Sequence, residues 1–145
     1  MIQQTIDKWH RFLAGALPGG LDELLDDDVV FYSPVVFTPQ QGKAVTTMYL
    51  TAAGTVFGGP GKPSSGSGGE AGGSSKFRYT KEILSGHHAM LEFEADVGGK
   101  YVNGVDIITC NDAGRIVEFR VMVRPLQAVN MLHQQMMAML ERMKS

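Results

Sequence analysis

Apolar residues recur every three or four positions at the start of the chain. Ile2, Ile6, Trp9, Leu13 and Leu17 alternate with Gln3, Gln4, Asp7, Lys8 and Arg11, a spacing that predicts an amphipathic helix. Pro18-Gly19-Gly20 stops it, and Leu21 to Leu25 allow a short second helical turn. Asp26-Asp27-Asp28 then leads into a short strand over 29–32, ended by Ser33-Pro34. A further helix is predicted from Gly42-Lys43 to about Ala53, with Val45, Met48, Tyr49 and Ala52 on one side. From residue 76 the period changes to two. The runs 76–84, 88–97, 100–110 and 115–124 read as strands. Gly98-Gly99 and Asn111-Asp112-Ala113-Gly114 have the residues of hairpin turns, so consecutive strands should pair antiparallel. Pro125 ends the sheet. Residues 126–144 read as a helix with Leu126, Val129, Leu132 or His133, Met136, Met139 or Leu140, and Met143 along one stripe. Helices, a meander and a closing helix make an α+β protein whose helices cover one face of a curved sheet.

Strand alternation divides the side chains further. Gly104, Asp106 and Ile108 share one face, and Val105, Ile107 and Thr109 the other. The same parity sets Ala89, Leu91 and Phe93 inside and Met90, Glu92 and Glu94 outside. Arg120, Met122 and Arg124 fall outside as well, as candidates for dimer contacts. Glu92 and Glu94 could pass for a catalytic pair, but Leu91 and Phe93 already claim the core, so a solvated or interface face is the better reading. Asp106 is the one ionisable residue among Val105, Ile107 and Ile108. If its face is the inner one, desolvation raises its pKa and favours the neutral acid, able to donate a hydrogen bond to a ligand oxygen. The other reading is structural: an acid bonded to a first-helix side chain such as His10, or exposed at a dimer face.

Composition narrows the classes. The chain has 145 residues, 43% apolar and 19% charged, the proportions of one globular domain. A formal net charge of −2 provides no footprint for nucleic acid or an anionic membrane. Cys110 is the single cysteine and the four histidines have no ligand spacing with it, so neither a disulfide, a metal site nor a cofactor is expected. Three consecutive carboxylates at 26–28 cannot all address one ion from a regular element, and the Gly and Glu of a calcium loop are missing; they read as a solvated loop. No membrane span or signal peptide is evident, which makes a cytoplasmic protein the expectation. Residues 58–75 contain fifteen Gly, Ser or Pro in eighteen and predict a long flexible surface loop, either a gate over a site or a tolerated insertion.

The ordered set of features is similar to the nuclear transport factor 2-like superfamily, particularly its SnoaL-like members of unassigned function. It comprises an N-terminal helix, an acidic turn before a short strand ending in Pro34, and Gly42-Lys43 opening a helix. Gly104-x-Asp106, Asp112-Ala113-Gly114-Arg115-Ile116 and Phe119-Arg120 complete it. The resemblance spans nearly the whole chain. It implies a cone, a strongly bent antiparallel sheet wrapped around the N-terminal helix with a pocket at its open end (the NTF2-like/cystatin-like fold), here with an extra C-terminal helix. It also implies a homodimer through the outer sheet face.

The family's chemistries can be tested residue by residue. A gapless alignment superposing Pro34 and Gly42 puts Ser33 where steroid isomerases of this fold carry their carboxylate base. It puts Asp106 on the donor acid and Trp9 on the donor tyrosine, and a serine without its own base cannot abstract a proton α to a carbonyl. The acids of the epoxide hydrolases fall on Val121 and near Gly99, leaving Arg120 without partners. The aspartate of SnoaL-type cyclases falls on Val121 or Val123. His87, His88 and Tyr32 only loosely imitate the dehydratase set, and His87-His88 beside Gly86 reads as an exposed pair at a turn. What remains is a small apolar or aromatic ligand with an oxygen function. Trp9, Leu13, Phe31, Ser33, Tyr49, Leu91, Phe93, Asp106, Ile108 and Phe119 are its candidate contacts, and Asp106 is the one candidate catalytic group. Two other readings stand beside it: an isomerase, lyase or hydrolase using Asp106 as acid or base, and a non-catalytic dimeric interaction module whose cone those same residues fill.

Overall fold

The computed structural model describes residues 1–57 and 77–144, which form four helices and six strands. The first helix, α1 (Ile2–Leu13), buries Ile2, Thr5, Ile6 and Trp9. It is a turn shorter than the apolar period predicts. The N–H groups of Ala14 and Gly15 close it on the carbonyls of His10 and Phe12, with Gly15 at φ 75°, a backbone state that glycine reaches without the Cβ penalty. Leu17 is buried all the same, from the turn that leads to α2 (Gly20–Leu24).

Strand β1 (Leu25–Tyr32) begins four residues earlier than predicted, so the acidic triplet belongs to a strand and not to a loop. Leu25 and Val29 are fully buried, while Asp27 and Asp28 between them are exposed. Lys43 Nζ draws the flanking carboxylates together, 3.2 Å from Asp22 and 3.3 Å from Asp27; with both acids in solvent the pairing adds little.

Strand β2 (Gln40–Gln41) and helix α3 (Lys43–Val56) follow, then β3 (Arg78–Ser85), β4 (His88–Val97), β5 (Lys100–Cys110), β6 (Ile116–Arg124) and α4 (Leu126–Lys144). The strands form one curved, unclosed sheet in the order β2-β1-β6-β5-β4-β3. The meander from β3 to β6 is antiparallel as predicted, while β1 joins β6 in parallel. The Gly/Ser/Pro-rich stretch 58–75, and with it the idea of a gate, lies outside the described residues.

The alternation read from sequence holds along β4 and β5. Ala89, Leu91, Phe93, Ala95 and Val97 are buried, as are Val102, Gly104, Asp106, Ile108 and Cys110. Gly104 stands opposite Phe93. A Cβ there would fall 2.6 Å from Phe93 Cζ and 2.5 Å from the Met122 carbonyl, so the missing side chain is what lets the Phe93 ring lie against the sheet.

Packing is divided between two regions. Ile2, Ile6, Leu25, Val29, Leu91 and Ile108 belong to a closed core beneath α1. Phe93, Val97 and Val102 pack instead against Ala128 and Leu132 of α4. Each large side chain removed from water contributes about 1.5–3 kcal/mol, and the two regions meet around a space that neither fills.

Candidate functional site

That space is a cavity of about 120 Å³. Its walls come from all the main elements. Trp9, Phe12 and Leu13 project from α1, and Phe31 from β1. Tyr49, Leu50 and Ala53 come from α3, Tyr79 from β3 and Phe93 from β4. Asp106 comes from β5, Phe119, Val121 and Val123 from β6, and Leu132, His133 and Met136 from α4. Ring contacts tie the walls together: Phe31 stacks on Tyr49 with centroids 5.3 Å apart, and Trp9 lies 5.1 Å from Phe119. Phe57, Phe77 and Phe93 form a third aromatic group.

One hydrogen-bonded chain crosses this apolar interior. Trp9 Nε1 donates to the Tyr79 hydroxyl oxygen at 2.9 Å, and Tyr79 donates to Asp106 Oδ2 at 2.6 Å. The direction is fixed by chemistry. An indole N–H can only donate, so the phenol oxygen accepts it and sends its own proton to the carboxyl. Oδ2 is thereby committed as an acceptor, and among the described residues no hydrogen bond reaches Oδ1. Asp106 is 6% exposed. Burial pushes its pKa up to about 7 against a partial opposing effect of the Tyr79 hydrogen bond, which favours the carboxylate. Tyr79 is held well above the ordinary tyrosine range, by burial first and then by the neighbouring Asp106 charge.

Eight of the ten candidate contacts line the cavity: Trp9, Leu13, Phe31, Ser33, Tyr49, Phe93, Asp106 and Phe119. Leu91 and Ile108 do not. Both have the inward parity but lie fully buried in the closed core against α1; alternation reports which face a residue takes, not its depth along the cone. His10 is not the partner of Asp106. It pairs with Glu82 instead.

The Ser33 hydroxyl accepts the N–H groups of Val35 and Val36 at 3.1 and 3.2 Å, a turn-forming role. His87 bonds Asp112, His88 bonds Thr109, and Tyr32 lies beneath the Arg120 guanidinium, all away from the cavity. Glu92 and Glu94 engage Asn103, Arg78 and Tyr101 on the other sheet face. From α3 the cavity takes Tyr49, Leu50, Ala53 and Gly54, with Phe57 just past its end; of the predicted one-sided set, Tyr49 reaches the cavity and Ala52 is fully buried.

Tyr79 escapes sequence reasoning for an identifiable reason. Counting back from the Gly86 turn, Leu84 pairs with Ala89 and Glu82 with Leu91, both inward positions. Strict alternation from there turns Tyr79 outward. A register shift between Tyr79 and Lys81 leaves Thr80 as an extra residue and sets Tyr79 opposite Phe93, facing in.

No family model matches the chain, and no curated protein does. Solved structures do match. A steroid delta-isomerase from Pseudomonas aeruginosa is 32% identical over 97% of this chain and 92% of its own, with a TM-score of 0.78. An uncharacterised protein with a cystatin-like fold from Silicibacter pomeroyi is 30% identical over 92% and 83%, with a TM-score of 0.75. A putative polyketide cyclase from Sinorhizobium meliloti shares the fold at 14% identity, over 82% and 94%, with a TM-score of 0.58.

Proposed function

The chain belongs to the nuclear transport factor 2-like superfamily, and we propose that it binds a small apolar or aromatic molecule through one oxygen of that molecule, held by Asp106. One observation carries this reading. Asp106 Oδ2 is committed to Tyr79, while the same carboxyl lines a largely apolar cavity with Oδ1 unclaimed by the described residues. Protonated, that oxygen donates to a ketone, ester or quinone. Ionised, it accepts from a hydroxyl. Burial favours the protonated form, so a carbonyl-type acceptor fits best. The aromatic walls supply affinity without direction, and the Asp106 contact supplies orientation.

Likeness to a steroid delta-isomerase brings in isomerisation as a second reading. Against the family's own route stands Ser33, whose hydroxyl accepts two backbone N–H groups and, among the described residues, has no base bonded to it. We read the protein further as a homodimer through the outer sheet face, where Ile83, Met90 and Met122 are exposed. We also read it as cytoplasmic, its one cysteine, Cys110, being free and buried.

Trp9 is the only tryptophan and lines the cavity, so its fluorescence reports occupancy. Titration with bicyclic aromatic ketones should quench it. Asp106→Ala should weaken binding about tenfold, the worth of one hydrogen bond at roughly 1–1.5 kcal/mol, while Asp106→Asn, which keeps a donor and an acceptor, should weaken it less. Equal affinity in all three proteins would sink the reading.

A further inference from the structure

Two concavities meet at one thin wall. Besides the cavity around Asp106, a groove of about 670 Å³ opens on the surface, lined in part by Tyr32, Phe37 and Arg120. Ser33, Pro34, Val35, Val36, Val121 and Val123 line both spaces, so a single layer of residues stands between them. That layer is also a seam in the fold. The ladder between β1 and β6 ends at the Tyr32–Arg120 pair, whereas β6 runs on to Arg124. Among the described residues, no backbone hydrogen bond ties residues 34–39 to β6. Packing holds the stretch no better: Ser33, Pro34, Val35 and Val36 are only partly buried, and Phe37 is 98% exposed. The stretch is instead closed on itself. The Ser33 hydroxyl accepts the N–H groups of Val35 and Val36 at 3.1 and 3.2 Å and so folds the turn across the seam. Segments with few buried contacts and few backbone bonds open locally at low free-energy cost. Loops of this kind often set the rate at which a closed site exchanges its contents.

We propose that residues 33–36 form a gate between the groove and the cavity, latched by the Ser33 hydroxyl. When its two bonds break, Val35 and Val36 swing away from β6 and the cavity opens toward the groove beside Phe37. That the cargo is an apolar ketone rests on the ligand reading above; the gate itself does not. Ser33 so acts on access and not on proton transfer.

Trp9 is the only tryptophan, lines the cavity and is 5% exposed, so acrylamide quenching of its fluorescence measures opening without any ligand. Ser33→Ala removes the latch and should raise the quenching constant about two- to tenfold, the share of one hydrogen bond. Ser33→Thr keeps the hydroxyl and should stay close to the wild type. Urea midpoints of the same proteins separate opening of the gate from global unfolding. In stopped-flow mixing with 2-acetonaphthone, Ser33→Ala should raise the association and dissociation rates by a similar factor and leave the affinity nearly unchanged, because the latch is closed in both the free and the bound protein. Acrylamide access that does not rise in Ser33→Ala, or rises only in step with lost global stability, overturns the gate. Unaltered ketone rates in Ser33→Ala also overturn it and leave the ligand reading standing. Raised acrylamide access with no quenching by the ketone overturns the ligand reading and leaves the gate.

Discussion

The Tyr79 hydroxyl reaches over strand β4 to place its oxygen 2.6 Å from Asp106 Oδ2. Adjacent strands lie about 4.8 Å apart, so β3 and β5 are separated by roughly twice that. A tyrosine can span the gap only where the sheet bends and its side chain leans inward. The inward turn comes from the bulge at Thr80, and the oxygen is held in place from the other side by Trp9. Sheet curvature, bulge and first helix therefore converge on the orientation of one carboxyl group.

Stability should depend on pH through Asp106. Its folded pKa, about 7, lies above the ordinary carboxylate value of 3.8. A raised acid binds its proton more tightly in the folded protein, so its burial penalty is absent below pH 4, grows between pH 4 and 7, and is complete above. At 1.36 kcal/mol per pKa unit the full cost is on the order of 4 kcal/mol. Tyr79 bonds the carboxyl, Glu82 lies near Tyr79, and His10 pairs with Glu82; His133 shares the cavity. Urea unfolding at pH 5 and pH 8 should show Asp106→Asn gaining on the wild type as pH rises. A gap between the two proteins that does not change with pH would contradict the assignment.

Removing the phenol oxygen should separate the two ends of the relay. In Tyr79→Phe, Trp9 Nε1 and Asp106 Oδ2 both lose their partner, at a cost of about 1–3 kcal/mol. Because the Tyr79 bond favours the ionised carboxyl, its loss should raise the Asp106 midpoint further. Carboxyl carbon NMR across pH 5 to 9 reads this directly, and an unmoved midpoint would show that the hydroxyl does not bond Oδ2 in solution.

Gly104→Ala tests how tightly the cavity wall is held. The new Cβ would meet a backbone carbonyl and the Phe93 ring at distances no relaxed contact shows. Overpacking of this kind costs about 1–3 kcal/mol, and the displaced Phe93 should also weaken ligand binding. Thermal unfolding together with the Trp9 titration measures both. Unchanged stability would mean that the β5–β6 pairing yields more easily than its geometry implies.

The outer face can be challenged without touching the cavity. Met122 is half-exposed, as are Ile83 and, to a lesser extent, Met90. If this face joins two copies, Met122→Glu should convert a dimer to a monomer in light scattering at micromolar concentration, because the partner would have to bury an unpaired charge. Retention of the dimer would move the interface elsewhere.

What the sequence made legible follows from what alternation and helical period can encode. The antiparallel meander, the inward set Ala89, Leu91 and Phe93, and the buried Asp106 all stem from period two between recognisable turns. Depth is not periodic, so Leu91 and Ile108 were grouped with the cavity although α1 covers them. Helix ends depend on local backbone states; Gly15 halts α1 before an apolar period that runs on to Leu17. The stripe read along α4 meets the cavity at Leu132, His133, Met136 and Leu140, with Met137 added beside it.

The extra residue at Thr80 bears on how relatives of this chain are compared. An aligner that prefers gaps in turns would shift a one-residue length difference in this hairpin to Gly86-His87. Tyr79 would then drop into a column of outward-facing positions, and the partner of the buried acid would be compared with surface residues. Placing the gap inside the strand, at residue 80, is the alignment that the β3–β4 pairing supports.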